Sequence, residues 1–177
     1  MKVRTLTLAA LFTALISVLA PLSIPLGPVP LTMQTLIIPL VASITTRRIA
    51  LLATSGYLLI GVAGIPVFAG WSAGLAAILG PTGGYLLAML IFPVMIGTGL
   101  TWSRHWSMMV ITNLVAAALQ LTLGSLWLIW QTGMPIQQGL MTGLVAFLIP
   151  MGIKVTLVVV LAKSLKQVLP LPIGTES

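Results

Sequence analysis

Lys154 is the residue whose chemistry is hardest to reconcile with its neighbours in this chain of 177 residues. It lies in an apolar stretch, nine residues before Lys163 and twelve before Lys166, which corresponds to about 14–18 Å of α-helix. Since half of a bilayer's hydrocarbon core is about 15 Å thick, we expect the ammonium near the membrane midplane. A lysine buried there costs at least about 2.5–3.5 kcal/mol and is by default a functional-site hypothesis. Its charge favours a ligand that carries a carboxylate.

Three amide side chains in the apolar segments are further candidates for polar contacts to such a ligand: Gln34, Asn113 and Gln120. Each is equally compatible with a second role, a hydrogen bond that joins two helices. Phe68 and Tyr85 are expected at depths where interfacial aromatic residues are normal, and aromatic rings also stack on ligands. The pattern leaves both interpretations open for these residues.

Catalytic and metal-binding side chains are nearly absent from the sequence. Glu176 is the single carboxylate residue, His105 is the single histidine, and there is no cysteine. This inventory does not allow a carboxylate pair, a Ser–His–Asp set or a metal-ligand cluster. The sequence also lacks the Gly-rich, Lys-containing loop that cradles phosphates. We therefore expect no catalytic residue, no metal, no cofactor and no intrinsic ATP hydrolysis.

The composition excludes a soluble enzyme. Hydrophobic residues make up 59% of the chain and charged residues 5%, whereas soluble domains have about 25% charged residues. The net charge of +7 comes from scattered residues, with no basic run longer than Arg47-Arg48, so a nucleic-acid partner is not expected. The composition instead predicts an integral membrane protein with lipid as its surroundings.

Apolar segments of spanning length alternate with clusters of proline, glycine and charge. They predict one integral membrane domain over 1–177, all α-helical, with six transmembrane helices. The helices are expected at about 6–22, 32–45, 49–64, 85–101, 108–130 and 150–166. The last apolar stretch, 139–165, is too long for one upright span, and we expect it to divide at Pro150-Met151-Gly152.

The basic residues orient these six spans. All except Lys154 fall before the first span, in alternate connections or after the last span: Lys2, Arg4, Arg47, Arg48, Arg104, Lys163 and Lys166. The opposite connections, 23–31, 65–84 and 131–138, contain no charged residue. Because cytoplasmic loops carry the excess of Lys and Arg, both termini are expected in the cytoplasm.

Glycine and proline are concentrated in the uncharged connections, at 24–30, 64–70 and 80–85. Prolines stiffen a loop, and glycines let the backbone approach a ligand. The connection over 65–84 is also much longer than a simple turn requires. We therefore expect a lid over a pocket between the helices, with ordinary turns as the alternative.

Two motifs carry a family resemblance. The segment IPLGPVPLTMQTL at 24–36, and GIPVFAG at 64–70 followed by LGPTGGY at 79–85, resemble the hallmark sequences of the BioY family. Members of this family are biotin-binding S-components of energy-coupling-factor (ECF) transporters. The resemblance implies an S-component fold in which biotin lies near the outer surface, beneath long extracellular loops 1–2 and 3–4.

The resemblance also implies a function and partners. The expected function is high-affinity biotin capture and uptake across the plasma membrane, with a transmembrane coupling subunit and two cytoplasmic ATPases as partners. ATP would be used only by these partners, and biotin would be the transported ligand. Ala10 and Ala14 match the small residues of helix 1 that meet the coupling subunit. The residues expected to contact the substrate are Gln34, Phe68, Trp71, Ser72, Gly83, Tyr85, Asn113, Met151 and Lys154.

Two positions depart from the family pattern. An acidic residue usually precedes the helix 6 lysine by three positions, and Met151 stands there in this chain. Trp71 occupies a loop position where the family favours glycine, so it would cap or narrow the pocket. An S-component for another small carboxylate-bearing vitamin, or a facilitator without an ATPase, is therefore the alternative function. A membrane-embedded enzyme is a further alternative, which the scarcity of acidic residues disfavours.

Overall fold

The computed structural model describes residues 3–25, 28–103 and 105–168, and these residues are largely helical. The two short strands, β1 (Ser23–Ile24) and β2 (Leu31–Thr32), pair antiparallel with Ser23 opposite Thr32. The α-helices of the described residues are α1 (Val3–Leu19), α2 (Gln34–Ile44), α3 (Arg47–Val62), α4 (Leu75–Leu79), α5 (Gly83–Leu87), α6 (Ile91–Trp102), α7 (Trp106–Thr132), α8 (Ile136–Gly143) and α9 (Leu148–Val168). Lys2, Arg104 and Glu176, named above, lie outside the described residues.

Three helical stretches of the described residues are long and apolar enough to cross a membrane. They cover Gly83–Trp102, Trp106–Thr132 and Ile136–Val168. Two shorter apolar helices, Val3–Leu19 and Gln34–Ile44, accompany them. The chain is therefore a helical membrane protein, as its composition predicts.

The break in the last apolar stretch lies earlier than expected. The prediction of a division at Pro150-Met151-Gly152 is wrong, because these residues lie inside α9. The chain instead breaks at a 3₁₀ turn over Val145–Phe147, between α8 and α9. Pro150 is the third residue of α9, and the first turn tolerates proline because its backbone N–H groups have no partner within the helix.

The helices pack in pairs around one main core. α1 packs chiefly on α3, α6 on α7, and α2 on α9. The contact between α1 and α3 is close, since Thr13 Oγ1 donates to the carbonyl of Ala53 at 3.2 Å. Ile38, Phe92 and Ile96 are fully buried where α2 and α6 meet the core. This packing fixes α2 between the other helices.

The two glycine- and proline-rich connections meet above the N-terminus of α2. The amide of Gly70 donates to the carbonyl of Pro21 at 3.0 Å, and the amide of Met33 donates to that of Leu22 at 3.0 Å. The first bond holds the base of the β1–β2 hairpin against the turn over Ala69–Trp71, and the second closes the hairpin at the start of α2. The two connections thereby form one roof over the helices below.

Replacement of Gly61 by alanine tests the packing beneath this roof. A Cβ on Gly61 would overlap the ring of Phe68, which is buried and meets the Tyr57 ring edge-on at 5.6 Å. Overpacking of this kind costs about 1–3 kcal/mol. We therefore expect Gly61→Ala to lower the free energy of unfolding by that amount, measured by thermal unfolding in detergent.

Gly152→Ala is the matched control, because no heavy atom lies within 4 Å of a Cβ at Gly152. Alanine is favoured over glycine inside a helix by about 0.5–1 kcal/mol, so this variant should be neutral or more stable. Equal stability of the Gly61→Ala and Gly152→Ala proteins would contradict the packing of Phe68.

Candidate ligand-binding cavity

A cavity of about 150 Å³ lies under the roof, between α2, α5, α7 and α9. Most of its wall is apolar. The apolar residues include Val29, Leu31, Phe68, Leu86, Met89, Phe92, Ala117, Leu121, Phe147, Met151, Val155 and Val158. An apolar wall with few polar groups is typical of sites for small organic molecules, in which the polar groups fix the orientation of the ligand.

Lys154 is the only residue with a charge among the described residues that line the cavity. Its Nζ donates to the carbonyl of Thr32 at 2.5 Å and to Thr35 Oγ1 at 2.6 Å. Both acceptors, a carbonyl and a hydroxyl, are neutral, and the chain has no carboxylate residue before Glu176. The positive charge of the ammonium is therefore not neutralised by any described residue of the cavity.

The N-terminus of α2 adds to this positive character. Thr32, Gln34 and Thr35 line the cavity, and Met33, the cap residue, makes no side-chain capping bond. Among the described residues, the backbone N–H groups of Gln34 and Thr35 donate to no other backbone group. Since the start of a helix carries a partial positive charge and free N–H groups, this part of the cavity attracts an anion.

The three buried amides do join helices, and they also line the cavity. Gln34 is hydrogen-bonded to the hydroxyl of Tyr57 on α3. Asn113 Nδ2 donates to Ser43 Oγ on α2 at 3.1 Å and to the carbonyl of Met109 at 2.8 Å. Gln120 Nε2 donates to the carbonyl of Tyr85 at 3.2 Å. A hydrogen bond that joins two helices and a position in the cavity wall are therefore compatible for each of these amides.

Seven of the nine expected contact residues line this cavity: Gln34, Phe68, Ser72, Tyr85, Asn113, Met151 and Lys154. Trp71 and Gly83 do not line it. Trp71 is 62% exposed and has a left-handed backbone, with φ of 63°. Gly83 instead lies against the backbone of Ile78, where a side chain would clash. Neither residue therefore contributes to the wall of the cavity.

Sequence reasoning missed the two partners of the Lys154 ammonium. Thr32 and Thr35 belong to the same motif as Gln34, and they lie three residues apart across the start of α2. Their polarity inside an otherwise apolar motif was the available signal. Phe92 and Phe147, which also line the cavity, are not distinguished from core residues by sequence.

The sequence as a whole matches a known family. The model of the BioY family matches residues 1–171. The chain belongs to the BioY family. Among BioY relatives, it is 41% identical over 169 residues to "Biotin transporter BioY2" from Lactococcus lactis subsp. cremoris strain MG1363, covering 95% of this chain and 93% of the relative. It is 36% identical over 166 residues to "Probable biotin transporter BioY" from Pyrococcus horikoshii, covering 94% and 98%.

A solved structure shares the BioY fold. It is described as the S-component for biotin from an ECF-type ABC transporter. The TM-score is 0.84 and the sequence identity is 32%, with 94% of this chain and 92% of the solved chain covered. The architecture described above is therefore similar to that of a transporter S-component.

Thr35→Val tests how this BioY chain holds the half-buried ammonium of Lys154. Valine keeps the shape of threonine but removes one of the two acceptors of Lys154. A hydrogen bond to a charged group is worth about 1.5–3 kcal/mol, so we expect thermal unfolding to show a loss of this size.

Thr156→Val is its matched control. The Thr156 hydroxyl is exposed and bonds only within α9, to the carbonyl of Gly152 at 2.9 Å. This change should be nearly neutral. A Thr35→Val protein as stable as the control would show that Thr35 does not stabilise the ammonium.

Proposed function

We propose that this chain binds biotin with high affinity and takes it up across the plasma membrane, as the substrate-capture subunit of an ATP-driven vitamin importer. The observation that carries the proposal is the cavity, with one uncompensated cation in an apolar wall. Family membership, relatives that are named biotin transporters and a similar S-component for biotin support it. Biotin matches the cavity in chemical character, since it combines an acid with an apolar chain and a compact ring.

In this proposal the carboxylate of biotin binds at Lys154 and the N-terminus of α2. The ammonium and the free N–H groups of Gln34 and Thr35 provide positive charge at one place in the cavity wall. A charge-assisted hydrogen bond to a carboxylate is about twice as strong as a neutral one. The acid would supply the counter-ion that the chain lacks, and Gln34, Phe68, Ser72, Tyr85, Asn113 and Met151 would contact the rest of the ligand.

A second candidate is an S-component or facilitator for another small carboxylate-bearing vitamin. The observation that favours it is Met151, which lines the cavity where the family pattern has an acid. Without that acid, the N–H groups of biotin have only neutral acceptors. A ligand that carries an acid but fewer N–H donors would lose less binding free energy from the missing acidic acceptor.

The membrane topology is part of the proposal. We propose six spans with both termini in the cytoplasm, supported by the charge pattern of the sequence. Arg47 Nη1 contacts Thr98 Oγ1 at 3.4 Å, so the basic start of α3 lies beside the end of α6. Lys163 and Lys166 lie in the last turns of α9. By the positive-inside rule, these basic ends face the cytoplasm and the roof faces outward.

The energy source would lie in partner subunits, a transmembrane coupling subunit and two cytoplasmic ATPases. Ala10 and Ala14 are exposed and lie one helical turn apart on α1. Exposed small residues at this spacing let two helices approach closely in a membrane. They are the proposed contact with the coupling subunit.

The direct test of the function is a calorimetric titration of biotin into the purified chain in detergent. The proposal predicts one-to-one binding with a sub-micromolar Kd. A folded sample that does not bind biotin, yet binds another small carboxylic acid, would favour the second candidate. Uptake measured in cells with and without the ATPase subunits then separates an importer from a facilitator.

Lys154→Ala tests the acid anchor. Loss of a charge-assisted contact in a water-poor site costs about 2–5 kcal/mol, so the affinity for biotin should fall by at least about thirtyfold. The affinity for biotin carboxamide, which carries no charge, should fall much less. Lys163→Ala, on an exposed position of the same helix, should change neither. Equal losses of affinity for biotin and for biotin carboxamide would show that Lys154 does not contact the carboxylate.

Ala14→Leu tests the coupling surface. A bulky side chain would hold the two helices apart, so we expect slower biotin uptake by the complete transporter with unchanged affinity of the isolated chain. Ala118→Leu places the same change on an exposed position of α7 and should leave uptake intact. Unimpaired uptake by Ala14→Leu would place the coupling surface elsewhere.

A further inference from the structure

Asn113 has a buried oxygen without a partner. In the described part of the chain, three buried side-chain oxygens accept or donate no hydrogen bond: Ser17 Oγ, Thr54 Oγ1 and Asn113 Oδ1. Of these three residues, only Asn113 lines the cavity. A buried acceptor left unsatisfied costs about 1–3 kcal/mol, so each such atom in a folded protein requires an explanation.

The orientation of the Asn113 amide is fixed by its neighbours. Its nitrogen donates to the carbonyl of Met109 at 2.8 Å and to Ser43 Oγ at 3.1 Å. A backbone carbonyl only accepts hydrogen bonds, so the nitrogen must lie on the Met109 side. Oδ1 is therefore the atom left free, and it is an acceptor that requires a donor.

The contacts that Lys154 and Asn113 make with α2 show how far apart these two residues lie. Lys154 contacts Thr35 in the first turn, whereas Asn113 contacts Ser43 near the end of this helix. Eight residues separate these contacts, which corresponds to about 12 Å of helix. Lys154 and Asn113 thus line the cavity at different depths, and a ligand that satisfies both must carry an acidic group and a separate N–H donor.

We propose that Asn113 Oδ1 accepts a hydrogen bond from an N–H group of the ligand and so determines specificity for the ureido ring of biotin. The inference rests on the proposed function and deepens it. Because the chain has no carboxylate before Glu176, a neutral oxygen has to accept this bond. Asn113 acts both in positioning α7 against α2, through its nitrogen, and in ligand selection, through its oxygen.

The test compares biotin with its two cyclic carbamate analogues, in each of which an oxygen replaces one ring N–H. The shape is preserved, but one donor is lost and an acceptor faces Oδ1. The unmodified chain should prefer biotin over one of the analogues by at least about tenfold, which corresponds to about 1.4 kcal/mol. In Asn113→Leu, this preference should fall to within about threefold, while the affinity for that analogue stays unchanged or rises.

Two further variants separate ligand selection from helix packing. Ser43→Ala removes the bond between α2 and α7 but leaves Oδ1 in place, so the preference for biotin should persist. Asn113→Asp keeps an acceptor and should also retain the preference, which provides the test if Asn113→Leu does not fold.

The outcomes distinguish the two proposals. Failure of the unmodified chain to bind biotin overturns the proposed function and this inference with it. If the unmodified chain binds biotin and both carbamates with equal affinity, the inference alone is overturned. A preference for biotin that Asn113→Leu leaves unchanged also overturns it. A preference lost equally in Ser43→Ala would assign Asn113 to helix packing only.

Discussion

The ammonium of Lys154 is half-buried in a largely apolar wall and is held by a carbonyl and a hydroxyl, with no carboxylate before Glu176 to balance it. A charge removed from water without a counter-ion is costly, so the surrounding structure has to make the arrangement tolerable. Thr32 and Thr35 reach the ammonium only because the hairpin, α2 and α9 are held together. The roof contacts at Pro21 and Leu22 keep that hairpin over the start of α2.

This arrangement relates the fold to a capture role. In the proposed function, the single positive group of the cavity favours acids over neutral molecules. The carboxylate of the proposed ligand would supply the counter-charge that the described residues of the cavity lack. Asn113 Oδ1 is an acceptor without a donor, and in our proposal an N–H group of the ligand would supply that donor.

The sequence predicts the class of this protein better than its details. Composition alone predicts a helical membrane protein, and the isolated charge of Lys154 points to one residue that lines the cavity. Trp71 could not be placed from sequence, because its left-handed backbone is uncommon for a residue other than glycine and no residue pattern predicts it. The position of the break before α9 was mispredicted because a proline in the first helical turn looks like a helix breaker. Lys154 is held by the backbone carbonyl of Thr32, which no residue type encodes, and by the hydroxyl of Thr35, whose polarity inside an apolar motif was the available signal.

The most direct measurement of the central claim is a structure of the chain with biotin bound. We expect a carboxylate oxygen of biotin within about 3 Å of Lys154 Nζ and close to the N–H groups that open α2, with the ring deeper in the cavity. A ligand whose carboxylate lies away from both Lys154 and the start of α2 would contradict this claim.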